Sequence, residues 1–238
     1  MALINITENA KNQQNLYYIQ SSMAELLTNA RCVVEEIPQE KRTKLVVDCP
    51  DYYIDIVRTE IIDKIAEIIV IKYKYDYFKS TIEIGGLSSA EKEILLASLI
   101  AADIDDDKKF AIEKLKSIEE IAIDGVYNFR LKPLKKKWED IVSYMPACFM
   151  NSQLKDFVTY LLENKKKRVY IDYGKVYDQH YRRLKRSSLL SGEKLKIIRE
   201  VLLSNCGEIE IIGSIPKEDE KYIKEFYGDK IYFSNSTL

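Results

Sequence analysis

Histidine is almost absent from this chain: His180 is the only one among 238 residues. Zinc sites built on several imidazoles are therefore excluded, and any Ser-His-Asp or Cys-His system would have to use His180. Its neighbours are Asp178, Gln179, Tyr181 and Arg182, and no G-x-S-x-G elbow occurs anywhere. It reads as a surface or half-buried histidine. Glycine is also scarce, with eight residues, and neither G-x-G-x-x-G nor G-x-x-x-x-G-K-[ST] is present. Dinucleotide and P-loop chemistry lose their phosphate cradle. The four cysteines, Cys32, Cys49, Cys148 and Cys206, are far apart with no C-x-x-C pair. They read as buried free thiols rather than disulfides or a zinc site. The longest apolar run, Ile68 to Ile71, stops at Lys72, far short of the roughly 20 residues of a membrane helix. The start of the chain lacks the basic and apolar regions of a signal peptide. Those absences point to a cytoplasmic protein with no membrane partner. Catalytic, cofactor and metal motifs are all missing, and no cofactor is expected.

Net charge is −1, which argues against coating nucleic acid through bulk positive charge but leaves room for a local basic patch. A hydrophobic fraction of 46% is ample for a core, and 32% charged residues give a solvated surface. The periodicities predict an α/β protein. Leu3–Ile6 reads as a strand, and Asn9 to Asn29 as a helix carrying Leu16, Ile19, Met23, Leu26 and Leu27. Cys32–Ile37 and Lys44–Asp48 read as a hairpin. A helix follows from Tyr52. Ile71 to Tyr77 alternates as a strand would, yet nothing breaks the helix before it, so the helix is continued to about Phe78. Ser88 or Ser89 caps the next helix, with Glu91 reaching back as in a capping box. Asp103 caps another over Ile104–Lys116, with Asp105, Asp106 and Asp107 at its positive end. Pro133 opens a helix striped by Leu134, Trp138, Ile141, Val142 and Met145, and Leu154–Glu163 is one more.

Lys165-Lys-Lys-Arg168 marks a break in composition. It places a boundary between an α-rich α+β region over 1–164 and a small α/β unit over 165–238, unless the two form one compact domain. In the second part strands at Val169–Tyr173, Glu208–Ile212 and Lys230–Phe233 alternate with helices at Glu193–Ser204 and Lys217–Tyr227. That is a βαβαβ unit with a small parallel sheet.

Three constellations invite a functional reading. Asp103-x-Asp105-x-Asp107 resembles a calcium loop, but the sixth and twelfth positions hold Lys108 and Lys114 where Gly and Glu are required. Ile212-Gly213-Ser214 ends a strand before Pro216, where a helix start can hold an anion; an ordinary βα turn is the simpler reading. The segment Tyr170 to Ser188 mixes Tyr170, Tyr173, Tyr177 and Tyr181 with Arg182, Arg183, Lys185 and Arg186. Such residues contact phosphates and stack on bases, or form a protein interface or a solvated connector.

The stretch from Ile123 to Trp138 combines an Asp124-Gly125 turn signal, Tyr127 and Phe129 in alternation as inward aromatics, and Arg130 between Phe129 and Leu131. A guanidinium there is either paired with a carboxylate or presented to a ligand. The block Ile123-Asp-Gly-Val-Tyr-Asn-Phe-Arg-Leu131 resembles the signature of the YtxC-like family of sporulation-associated proteins from spore-forming Firmicutes. Abundant Ile, Lys and Tyr against few Ala fits an AT-rich genome, in agreement with that source. The resemblance carries over Gly125, Phe129 and Arg130 as signature positions and no catalytic residue. It implies a non-enzymatic cytoplasmic protein connected with sporulation, acting by interaction or regulation on a protein partner. The first alternative is nucleic-acid binding through the 165–186 segment. The second is an enzyme with no familiar motif, using Arg130.

Overall fold

The computed structural model of the chain describes residues 2–234. The fold is α/β, with two mixed four-stranded sheets. The chain forms two compact units interleaved in sequence. The first holds the residues up to Lys74 and Asp105–Ile141; the second holds Tyr75–Ile104 and everything from Val142 onward. The units do not part at 164/165: Lys165–Arg168 lies inside the second and leads into one of its strands.

In the first unit, β1 (Ala2–Asn9) and β3 (Arg42–Cys49) pair antiparallel in full register, from Ala2 opposite Cys49 to Asn9 opposite Arg42. β2 (Val33–Pro38) pairs antiparallel with β3, and β4 (Ile121–Ala122) lies parallel to β1, giving the order β2-β3-β1-β4. Alternation sets the buried face: Ile4, Ile6, Leu45, Val47 and Cys49 are all buried. The helices α1 (Gln14–Asn29) and α2 (Ile54–Glu67) bury Leu16, Ile19 and Met23, and Val57, Ile61 and Ile65. At Glu8 the same alternation buries a carboxylate. It survives there because the Asn9 amide, the Asn15 amide group and the Tyr73 hydroxyl donate to it at 2.7, 2.9 and 3.0 Å.

The helix after Tyr52 continues as expected, but through a π-helical segment, Ile68–Tyr73, into α3 (Lys74–Thr81). Ile71 to Tyr77 is therefore helical. Ile68, Ile69, Val70 and Ile71 are all fully buried, so this run meets apolar neighbours all round. α4 (Ser89–Leu115) opens with the expected capping box: Glu91 accepts from the Ser88 amide at 2.8 Å, and Ser88 from the Glu91 amide at 3.3 Å. It leaves helical geometry at Asp103, φ −132° and ψ 18°, where two helices were expected to meet. Asp107 is no exposed helix-end carboxylate. It is buried and accepts from Lys74 Nζ at 2.8 Å, Lys137 Nζ at 2.6 Å and Trp138 Nε1 at 2.9 Å.

The Ile123 block also differs from expectation. It forms a short helix, α5 (Ile123–Phe129), rather than a turn and a strand. Helical spacing buries Ile123 and Val126 but turns Phe129 outward, 76% exposed. Asp124 takes a two-toothed ion pair from Arg42, at 2.5 and 3.1 Å. Tyr127 sits between the rings of Tyr73 and Trp138, at centroid distances of 4.4 and 6.1 Å. Trp138 belongs to α6 (Lys132–Ser143), which carries Pro133 in its first turn, near the start read from sequence.

In the second unit α7 (Asn151–Leu162) precedes the C-terminal sheet. β5 (Arg168–Asp172), β7 (Glu208–Ile212) and β8 (Ile231–Phe233) run parallel, joined through α8 (Lys196–Leu203) and α9 (Lys217–Tyr227). This is the expected βαβαβ unit. One strand was missed: β6 (Lys175–Tyr177) folds back antiparallel on β5, giving the order β6-β5-β7-β8.

Candidate nucleic-acid interface

The C-terminal sheet has one apolar and one polar face. Val169, Ile171, Val176, Ile209 and Ile211 are buried, as are Ile198, Val201 and Leu202 of α8 and Ile223 and Phe226 of α9. The alternate positions form the other face. Register places Tyr177, Tyr170, Glu210 and Tyr232 in one row across all four strands, with Arg168 opposite Glu208 one step away. Tyr181 stacks on Tyr170, with ring centroids 4.6 Å apart and planes 20° from parallel, and is itself 63% exposed. The Arg168 guanidinium lies 4.6 Å over the Tyr232 ring. Glu208 holds it there through Nε and Nη2 at 2.9 and 2.6 Å, and Glu210 lies 3.4 Å from Nη1. The result is a row of three tyrosines interrupted by Glu210, with one guanidinium held over the ring at its far end.

The loop after β6 returns along the sheet edge. Asp178 accepts from the amides of His180 and Arg182 at 2.8 and 2.9 Å and from Arg182 Nε at 3.0 Å. Partial burial works against this carboxylate, but those donors outweigh it and hold its pKa below the usual range. The Leu184 amide then donates to the Val176 carbonyl at 2.8 Å. Arg186 is tied inward: its amide donates to Glu200 at 2.9 Å, and its Nη1 to the Leu203 carbonyl at 3.0 Å. Full burial raises the pKa of Glu200, even though the Arg186 and Ser187 amides bond to it.

Beside the tyrosine row lies a cleft of about 220 Å³, lined by Lys167, Arg168, Arg182 and Arg186 together with Asp178, Gln179 and His180. Of the four basic residues singled out from sequence, Arg182 and Arg186 line this cleft. Arg183 and Lys185 do not, although they lie close enough for Arg183 to help lower the Lys185 pKa, after partial burial. Tyr232 and Arg168 escaped the sequence reading. Tyr232 joins the row only through parallel pairing of strands far apart in the chain, and Arg168 reads from sequence as part of a charge run. The Gly213 turn takes a positive φ of 78°, and α9 beyond it carries Glu218, Asp219 and Glu220 in its first turn. Three carboxylates there oppose an anion, which favours the ordinary βα-turn reading.

Arg130 belongs to the first unit. It is exposed at the end of α5 and lines neither the cleft above nor the larger cavity of about 530 Å³ between Lys79 and Leu96. Neither of these two hollows therefore gathers Arg130 with carboxylates. Gly125 lies within α5, where an added Cβ would meet Ala122 at 3.2 Å. One arrangement in the second unit does resemble a nucleophile with its base. Ser191 Oγ lies 3.0 Å from Lys79 Nζ and 2.9 Å from Tyr75 OH. Activation requires that one partner take the serine proton. Burial disfavours the Lys79 charge, but Tyr75 and Glu93, at 2.8 and 2.9 Å, outweigh it and raise the Lys79 pKa. A lysine kept charged in this way is a poor base.

No family model, curated protein or solved structure matches the chain.

Proposed function

We propose that this chain is a non-enzymatic, cytoplasmic interaction protein and that its contact surface is the tyrosine-bearing face of the C-terminal sheet. The partner chemistry we assign to that face is a flexible single strand of nucleic acid. The observation that carries this reading is the row of Tyr177, Tyr170 and Tyr232, with Tyr181 stacked on it, next to a strongly basic segment. Residues 165–186 hold nine Lys or Arg against two Asp, in a chain whose net charge is −1. Planar rings stack on any base, at about 1–3 kcal/mol each, and cations along the edge answer the backbone phosphates. Arg182, Arg183 and Lys185 serve as those cations. A sporulation setting rests on the Ile123–Leu131 block alone.

The test is fluorescence anisotropy of a labelled dodecameric oligo-dT and oligo-U at low salt. The wild-type protein binds both. Joint reversal of Arg182, Arg183 and Lys185 to Glu abolishes binding, and Tyr181→Ala weakens it with the fold intact by circular dichroism. Failure of the wild-type protein to bind either oligomer, or to be retained on heparin, overturns the reading.

A further inference from the structure

From the cleft beside the tyrosine row we infer a second recognition element: a seat for a terminal phosphate monoester of the bound strand. This rests on the strand-binding reading and adds that the protein engages an end rather than only an internal stretch. The phosphodiester inside a strand carries one negative charge and continues in both directions, so an open face with scattered cations suffices for it. A terminal monoester carries close to two charges at pH 7 and three exposed oxygens. It is better served by a concave site where several donors converge.

The cleft has that form. Lys167, Arg168, Arg182 and Arg186 line one concavity with a single carboxylate, Asp178, among them. Gln179 and His180 add polar side chains at the same wall. Two of the arginines are set in place before any ligand arrives. Arg182 is fixed through Nε and Nη2 on Asp178, and Arg186 through Nη1 on the Leu203 carbonyl. Such preorganisation lowers the ordering cost of binding. At about 220 Å³ the cleft is smaller than the roughly 300–1,000 Å³ of pockets that enclose a whole small molecule. It suits a head group whose nucleoside lies outside, on the neighbouring rings. Arg168 lines the cleft while its guanidinium, held by Glu208, lies over Tyr232, so the wall of the cleft is continuous with the tyrosine-bearing face.

The experiment compares three labelled dodecameric oligo-dT ligands on the full chain: 5′-phosphorylated, 3′-phosphorylated and without a terminal phosphate. Inorganic phosphate is the competitor. One phosphorylated form is expected to bind about tenfold tighter than the unphosphorylated strand, a difference of about 1.4 kcal/mol. Which form does so reports the strand's direction. The variant Lys167→Ala should lose that preference while still binding the unphosphorylated strand, and millimolar inorganic phosphate should erase the preference in the wild-type protein. Equal binding of all three oligomers overturns the terminal-phosphate seat and leaves the strand-binding reading standing. Binding of none overturns both. If inorganic phosphate alone stabilises the protein against heat while the three oligomers bind alike, the cleft holds a free phosphate and the inference falls.

Discussion

A carboxylate without solvent must be answered by its neighbours, and Asp107 is answered three times, by Lys74, Lys137 and the Trp138 indole. Burial alone would raise its pKa, but the two ammonium groups and the indole donor reverse this and hold it below the usual range. Lys74 is itself fully buried. Asp107→Ala takes away the carboxylate paired with that buried ammonium, and we predict a loss of about 3–5 kcal/mol in urea unfolding at pH 7. The pH dependence has a definite sign. A carboxylate with a depressed folded pKa contributes stability above its unfolded value, about 3.9, and loses it as pH falls through the folded pKa. The wild-type protein should lose this contribution below about pH 4, and its advantage over Asp107→Asn should narrow there. Urea midpoints between about pH 3 and 7 check this; a constant gap would contradict it. Glu8 has the opposite sign: burial raises its pKa, so its contribution is fully present at low pH and declines as pH rises. A second residue-scale prediction concerns Gly207, whose added Cβ would lie 1.9 Å from the Lys165 carbonyl oxygen. The backbone has to move, so Gly207→Ala should cost about 1–3 kcal/mol, read as a lowered melting temperature. None of this was legible locally. Asp107 sits in a run of aspartates that reads as a helix end, and its partners lie about 30 residues away on either side in sequence.

At the scale of elements, the β2–β3 hairpin was legible because each strand announces itself and only a short polar turn separates them. Its cysteines were not. Val33 pairs with Asp48, so Cys32 and Cys49 meet one step further along, both as free thiols. Burial, then the contact with Cys49, pushes the Cys32 thiol up to about 12. Treatment with diamide should close an intramolecular disulfide, slowly at neutral pH and faster as pH rises, because the thiolate is the attacking form. Two thiols should disappear from a thiol titration in the wild-type protein, and no intramolecular bridge should form in Cys32→Ser. The bridge closes a loop of 16 residues, a constraint worth roughly 3 kcal/mol on the chain-entropy account. It should therefore raise the melting temperature; unchanged stability after complete oxidation would contradict this. The segment Ile71–Tyr77 shows the limit of pattern reading. Its alternation is a strand signal, yet the chain there is a π-helical turn running into α3. Helical continuity from Tyr52 was the better guide.

At the scale of the molecule, the C-terminal βαβαβ order was legible because every crossover is local and each helix is bounded by its own strands. The division into units was not. Lys165–Arg168 looks like a linker, but it is the approach to β5, while the chain passes between units within helical stretches at Lys74, Ile104 and Ile141. Helical periodicity gives no mark at such points. The candidate interface was half visible in the same way. Tyr170, Tyr177, Tyr181 and the arginines after them stood out as one segment, whereas Tyr232 enters only through strand pairing.

The most direct measurement is the affinity of a dodecameric oligo-dT for the full chain as salt is raised from about 50 mM. If the basic edge meets the phosphates and the tyrosines meet the bases, log K falls linearly with log salt, by about 0.7 for each phosphate engaged. Joint reversal of Arg182 and Arg183 to Glu should flatten that slope. Tyr181→Ala should weaken binding equally at every salt and leave the slope unchanged. Binding that ignores salt, or no binding at about 50 mM, would contradict the account.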